Sequence, residues 1–260
     1  MTTTTTRKIQ VRPDLPIGLS EAGSGPPVIV LHGGGGPMTV APIGDHLAGT
    51  RRVLTPTHPG WNAAVRPGWL TRIEDLATVY VDLLSSLDLD DVLVVGSSVG
   101  GWIAAEMALR DGGERIRRLV LIDSVGVDVP GQPIRDFFAL DARGVAEYSY
   151  HDGDRFYVDP STIPAEQLEL RMGNMAALRL LAGDPYMHDP SLLRRLGDVS
   201  IPTLVLWGDS DRIVTPDYGR AMAAAIPGAR FEIVSKAGHL PQIEQPETTF
   251  RAIDAFLSTG

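Results

Sequence analysis

The chain has 260 residues, with 23 basic against 32 acidic side chains and a formal charge of −9. That length allows one large domain or two small ones, and the charge lacks the basic footprint that nucleic acid or an anionic membrane surface requires. Cysteine is absent, which excludes disulfide frameworks, thiolate metal sites and a cysteine nucleophile.

Residues 1–10 open with a threonine run followed by Arg7-Lys8. Lacking the apolar core of a signal peptide, they read as a disordered leader, and the cytoplasm is the expected compartment. Four short apolar runs follow: Val28-Ile29-Val30-Leu31, Val92-Leu93-Val94-Val95, Leu119-Val120-Leu121-Ile122 and Leu204-Val205-Leu206-Trp207. Each is unbroken by alternation, the pattern of a strand covered on both faces of a parallel sheet. Arg52-Val53-Leu54 and Arg230-Phe231-Glu232-Ile233-Val234 read as two weaker strands. Helical faces lie between them: Ile73, Leu76, Tyr80, Leu83, Leu84 and Leu87, then Val99, Ile103 and Met107, then residues 218–226 and 248–257. Strand alternating with helix predicts an α/β fold with a doubly wound, mostly parallel sheet. The alternation stops between Asp128 and Asp198, a Pro- and aromatic-containing stretch too long for a plain loop. The expected organisation is therefore a core of residues 1–127 and 199–260 interrupted by a helical cap, or lid, of residues 128–198.

Gly96-Ser97-Ser98-Val99-Gly100 matches G-x-S-x-G with Ser98 at its centre, directly after one strand and before a helix. A turn that tight needs nearly side-chain-free neighbours two positions either side, which Gly96 and Gly100 provide. Ser97 fails the same test, since Val95 and Val99 flank it. Serine is a poor nucleophile at its own pKa, so a base and an orienting acid must accompany it. His239, past the last strand, and Asp211, past the strand before it, complete the Ser–Asp–His chain order that goes with this elbow. Asp209 and Asp123 compete for the role of acid.

On these motifs the chain resembles the α/β-hydrolase superfamily over nearly its whole length. Leu31-His32-Gly33-Gly34-Gly35-Gly36 is similar to that family's oxyanion loop after the third strand, and residues 96–100 to its nucleophile elbow. Residues 207–214 resemble its acid loop, and Gly238-His239 with Glu244 and Pro246 its histidine loop. Thr57-His58-Pro59-Gly60-Trp61 stands where many members carry D-x-P-G-x-G, with His58 and Asn62 as departures. The resemblance implies Ser98, Asp211 and His239 as the catalytic residues and the backbone N–H groups of Gly34 and Val99 as the oxyanion hole. It also implies a lid after the sixth strand that shapes the pocket. Gly35, Phe137, Phe138, Tyr148, Met172, Met175, Tyr186 and Leu240 are the candidate pocket residues, pointing to an apolar or aromatic acyl compound.

His32 is expected to pack under the glycine loop and His58 to be a turn residue, with the pocket mouth as its alternative. His46 is expected at the surface. His151 and His188 are weaker ligand candidates, set against a structural role. Asp152, Asp154 and Asp159 miss the spacing of a calcium loop. Residues 33–36 lack the Lys-Ser/Thr of a phosphate loop. No metal, nucleotide or flavin cofactor is expected; the expected partner is a small-molecule substrate, with a homo-oligomer left open. The leading expectation is a serine hydrolase of a small apolar ester or lactone acting through an acyl-enzyme. The alternatives are a C–C bond hydrolase of ring-cleavage dienones, which also carry a His-Gly-Gly-Gly-type loop, and a cofactor-free lyase, oxygenase or binding protein on the same scaffold.

Overall fold

A computed structural model describes residues 4–259. The strands are β1 (Thr5–Arg12), β2 (Leu15–Ala22), β3 (Pro27–Leu31), β4 (Arg52–Thr57), β5 (Val92–Ser97), β6 (Ile116–Ile122), β7 (Gly126–Val127), β8 (His188–Asp189), β9 (Thr203–Gly208) and β10 (Arg230–Val234). The helices are α1 (Ala41–Leu47), α2 (Ile73–Ser86), α3 (Val99–Asp111), α4 (Ala142–Ser149), α5 (Gly153–Phe156), α6 (Ala165–Ala182), α7 (Leu192–Arg195), α8 (Pro216–Ala225), α9 (Pro241–Glu244) and α10 (Pro246–Leu257). Eight strands form one sheet in the order β1-β2-β4-β3-β5-β6-β9-β10. Only β1–β2 and β2–β4 pair antiparallel; the rest are parallel.

The unbroken apolar runs are explained by helices on both faces. Ile29, Leu31, Val94, Leu121 and Val205 enter the core cluster shared with α2, α3 and α8. Their neighbours Val28, Val30, Val95, Val120 and Leu204 enter the cluster shared with α1 and α10. Successive side chains on a strand point to opposite faces, so both sets must be apolar.

The leader is a correction. From Thr5 onward it forms β1, paired along its length with β2, while residues 1–3 lie outside the described residues. β1 is mostly exposed, so it carries no apolar signal, yet β-branched threonine suits an edge strand. β2 also escaped the sequence reading. Leu15, Ile17 and Leu19 are buried at period two, but Pro16 and Gly18 interrupt the pattern.

Between β6 and β9 the chain leaves the sheet and runs through α4–α7, with β7 and β8 forming a two-stranded parallel pair. Its α6 packs on the loop after β4 through Asn174, whose Oδ1 accepts the Asn62 N–H at 2.7 Å and whose amide donates to Asn62 Oδ1 at 3.1 Å.

The β5–α3 junction is the tightest point of the fold. Ser98 has φ 57° and ψ −122°, a left-handed-side conformation that L-residues rarely adopt. A Cβ on Gly96 would lie 2.2 Å from the Gly100 carbonyl oxygen, and one on Gly100 would lie 2.2 Å from that of Leu31. Both obstacles are backbone and cannot swing aside. Gly100→Ala is therefore expected to lose about 1–3 kcal/mol of stability, the usual range for overpacking. In a domain this size that lowers the melting temperature by roughly 2–10 °C. An unchanged melt would show that β3 and α3 can separate without cost.

Candidate active site

Every chemistry-bearing residue follows the C-terminal end of a parallel strand: His32 after β3, Ser98 after β5, Asp123 after β6, Asp211 after β9 and His239 after β10. Parallel strands bring those ends to one edge, where α/β folds place their sites. There the three residues join in one hydrogen-bonded chain. His239 Nε2 lies 2.9 Å from Ser98 Oγ, and His239 Nδ1 lies 2.8 Å from Asp211 Oδ2. Asp211 is buried and its Oδ1 accepts the N–H groups of Ile213 and Val214 at 2.8 and 3.1 Å. Those amides fix the carboxylate, the carboxylate fixes the imidazole, and the second ring nitrogen faces the serine. Such a chain can draw a proton from the hydroxyl as it attacks. Of the rival acids, Asp209 spends its carboxylate on Ser235 Oγ and the Lys236 N–H. Asp123 is fully buried behind Asp211.

The glycine loop lies directly on the serine. A Cβ on Gly33 would lie 2.9 Å from Ser98 Cβ, and one on Gly34 would lie 2.7 Å from Leu178 of α6. Buried rings grip this loop by its carbonyl oxygens. Trp61 Nε1 donates to the Gly34 carbonyl at 2.9 Å. His32 Nδ1 lies 2.7 Å from the Gly33 carbonyl, and His58 Nε2 lies 2.9 Å from that of His32. With those nitrogens as donors, His32 Nε2 accepts the His58 backbone N–H at 3.1 Å, and His58 Nδ1 accepts from Tyr80 Oη at 2.5 Å. The two imidazoles stack with centroids 3.6 Å apart. All four ring nitrogens are satisfied in the neutral state. Burial lowers His32 to about 4 and holds His58 well below the usual histidine range, the neighbouring His32 adding to the second effect. Val99, the first residue of α3, has no helical carbonyl for its N–H to bond. Gly34 and Val99 both border the cavity at Ser98.

His58 therefore lies beneath the loop, fully buried, and not at the pocket mouth. Aligned on Pro59 and Gly60, Thr57 and Asn62 replace the Asp and final Gly of the D-x-P-G-x-G pattern, and His58 takes an unrestricted position.

A cavity of about 560 Å³ opens from Ser98 and His239 beneath the inserted helices. Gly35, Phe137, Met175, Tyr186 and Leu240 line it. Phe138, Tyr148 and Met172 do not. Phe138 packs against Tyr186 and under the Arg179 guanidinium, Tyr148 stacks with Arg135, and Met172 faces solvent at 59% exposure. His151 and His188 are also off the wall. His151 bonds Ser210 Oγ at 2.7 Å, and His188 Nδ1 lies 2.8 Å from the Tyr186 carbonyl. His46, partly exposed, pairs with Asp254 at 2.9 Å.

Three features have contacts that no local sequence pattern indicates. Arg171 of α6 borders the cavity, the one Lys or Arg among its described lining residues. Among the described residues no carboxylate lies within ion-pair distance of it; the nearby ion pairs engage other arginines. Glu244 ties the histidine loop to the insertion, accepting the N–H groups of Gly238 at 2.5 Å and His151 at 2.9 Å. The Ser149 carbonyl accepts the His239 N–H at 2.7 Å. Only two groups of three possible metal ligands occur among the described residues. One is Asp123, Asp211 and His239; in the other, Glu74, Glu106 and Asp189, Arg195 bridges Glu106 and Asp189 while Arg110 pairs with Glu106.

Comparison with known proteins follows the same lines. The description "Alpha/beta hydrolase family" matches residues 28–252. A 2-hydroxy-6-oxononadienedioate/2-hydroxy-6-oxononatrienedioate hydrolase of Cupriavidus pinatubonensis (strain JMP 134 / LMG 1197) is 30% identical over 255 residues, covering 88% of this chain and 86% of its own. A 2-hydroxy-6-oxo-6-phenylhexa-2,4-dienoate hydrolase of Burkholderia cepacia is 30% identical over 265 residues, covering 94% and 92%. Among solved structures, a thermophilic esterase from Thermogutta terrifontis, with malate bound, superposes with a TM-score of 0.77 at 26% identity, covering 97% of this chain and 98% of its own. No helix among the described residues is long and apolar enough to cross a membrane.

The buried histidines make stability sensitive to mild acid. With His32 at about 4 in the fold and roughly 6.5 when exposed, the unfolded chain takes up this proton first as pH falls. Stability is fully present above about pH 6.5 and is lost as pH falls toward 4. His32 alone is expected to cost on the order of 2–3 kcal/mol between pH 7 and 4.5, read as a lower urea midpoint. Equal midpoints at the two pH values would contradict neutral burial.

Proposed function

The chain belongs to the alpha/beta hydrolase family, and on that premise we propose that it is a serine hydrolase cleaving a C–C bond in a ring-cleavage dienone acid. The observation that carries this reading is that one nucleophile and one solvent-exposed cation border the same largely apolar cavity. Ser98 and Arg171 border one cavity together with Phe137, Met175, Tyr186 and Leu240. That arrangement suits an unsaturated body bearing a carboxylate, and the relatives' names, "dienoate" and "dienedioate", describe such molecules.

A C–C bond breaks hydrolytically only when the departing carbon can pass its electron pair to an acceptor. In the 2-oxo tautomer of such a substrate, the carbon beside the 6-oxo carbonyl is conjugated through one double bond to the 2-oxo group. His239 takes the Ser98 proton and Ser98 Oγ attacks the 6-oxo carbon. The backbone N–H groups of Gly34 and Val99 hold the oxyanion. The bond between carbons 5 and 6 then breaks, its electrons passing to the 2-oxo oxygen and leaving a dienolate that takes up the proton His239 carries, which returns the imidazole to its neutral state. Water, its proton removed by His239, releases the acyl group as a carboxylic acid. Asp211 keeps the imidazole in the required tautomer throughout. Arg171 holds the 1-carboxylate, so that the ketone rather than the acid reaches Ser98.

Ester hydrolysis is the second reading, supported by the largely apolar lining and the similarity to an esterase at 26% identity. It uses the same relay but needs neither the electron sink nor Arg171. Decay of the chromogenic 2-hydroxy-6-oxo-6-phenylhexa-2,4-dienoate is compared with release of p-nitrophenol from p-nitrophenyl butyrate. A kcat/KM for the dienoate at least tenfold above that for the ester is expected; the reverse order makes the esterase reading the correct one. Ser98→Ala should abolish both activities and labelling by a serine-reactive phosphonate. Arg171→Gln is expected to raise KM for the dienoate about tenfold or more, the scale of one charge-assisted hydrogen bond, and to leave KM for the uncharged ester unchanged. An equal effect on both substrates would remove the carboxylate role.

A further inference from the structure

Asp123 is a carboxyl group that the relay leaves unused. It closes β6 with φ at 42°, in the left-handed region, and its side chain is fully buried. Its Oδ1 accepts the Gly208 N–H at 2.9 Å, while Oδ2 is buried with no hydrogen-bond partner among the described residues. One of its oxygens lies within 4.8 Å of both an Asp211 oxygen and a His239 ring nitrogen.

Two ionised carboxylates that close in a dry site repel strongly, so one of them keeps its proton. The amides decide which. Asp211 receives two backbone N–H groups and the imidazole, whereas Asp123 receives one N–H group. The charged and titratable groups around Asp123 are Asp211 on the loop after β9, His239 on the loop after β10, and Glu244 of α9. Both carboxylates among them disfavour a second negative charge. Burial first, and the Asp211 charge second, push the Asp123 carboxyl well above the usual carboxylate range.

We propose that Asp123 is a positioning residue for Asp211: the two carboxyl groups share one proton and one negative charge behind His239, with the proton on Asp123 Oδ2. When the charge on Asp211 is removed, Asp123 ionises and orients the imidazole in its place. The inference rests on the Ser98–His239–Asp211 relay proposed above, and part of its test is independent of turnover.

Asp123→Asn, Asp211→Asn and the double variant are assayed with p-nitrophenyl butyrate from pH 6 to 9.5. Asp123→Asn substitutes a neutral amide for a neutral acid and still offers Asp211 a donor, so kcat is expected to fall about threefold at unchanged KM. Asp211→Asn is expected to lose on the order of 10³–10⁴ in kcat at pH 7, the cost of a misassigned tautomer in a comparable triad. Its kcat should then climb at least tenfold toward pH 9.5 as Asp123 ionises, a climb absent from the double variant. Matching pH profiles for Asp211→Asn and the double variant would overturn the proposal, as would an Asp123→Asn loss as large as that of Asp211→Asn. The infrared spectrum of the resting enzyme at pH 7 supplies the second readout. A protonated-carboxyl stretch should be present in the wild type and in Ser98→Ala and missing from Asp123→Asn. No such difference would overturn the shared proton whatever the kinetics show. A stretch that behaves as stated while Ser98→Ala stays active would instead dismiss the relay and leave the carboxyl pair standing.

Discussion

The site depends on one close approach of backbone to backbone. Gly100, in the first turn of α3, sits so near the end of β3 that a methyl group would strike the Leu31 carbonyl. That contact clamps the start of the helix beside the strand that feeds the glycine loop. Two consequences follow at the same point. The free N–H groups at the start of α3 face the same space as those of the loop, and Ser98 is lifted into a positive-φ conformation between them. The conformation is unfavourable in isolation. It persists because two glycines remove the side chains that would forbid it, and because the Ser98 N–H is anchored to the Ile122 carbonyl of the next strand at 2.9 Å.

The parts of this arrangement that were readable in the sequence are those whose cause is local. A strand buried on both faces needs a continuous apolar run, and a tight strand-to-helix turn needs Gly96 and Gly100. Both requirements act within a few residues and leave a mark there. β1 and β2 were missed because their causes are not of that kind. β1 is an edge strand with little to bury, and the alternation of Leu15, Ile17 and Leu19 in β2 is broken by residues that usually signal turns. The pairs Phe137/Phe138 and Met172/Met175 show the same limit in the segment between β6 and β9. Their apolar character was plain, but which of each pair faces the cavity depends on how α6 and its neighbours settle on the body.

The insertion is coupled to the relay through backbone groups. Ser149 takes the N–H of His239, Tyr148 takes that of Arg212, and Glu244 reaches from α9 to the N–H groups of Gly238 and His151. The segment that roofs the cavity therefore also holds both loops that carry the acid and the base. A displacement of α4 large enough to reshape the pocket has to strain or break a bond to the histidine loop. Substrate fit and relay geometry are in this sense one mechanical variable. Neither Ser149 nor Glu244 reveals this by residue type, since backbone pairing across 90 residues carries no residue code.

Charge is distributed as sparingly as position. Beneath the glycine loop the supporting groups are two neutral imidazoles and an indole, all giving N–H groups to carbonyl oxygens. A carboxylate there would hold the same carbonyls only through intervening protons and would oppose the negative charge that develops above Ser98. A protonated imidazole would attract that charge in the resting site as well as in the transition state, ordering an anion or water before the substrate arrived. Neutral donors avoid both effects, and in the proposed reaction they leave the oxyanion to fixed amide dipoles, which need no reorganisation. The Asp211 carboxyl lies on the other side of Ser98, behind His239, where the proposed reaction would form an imidazolium. On the proposed reaction the serine separates the two sides, so that the anion would form on one flank and the cation on the other.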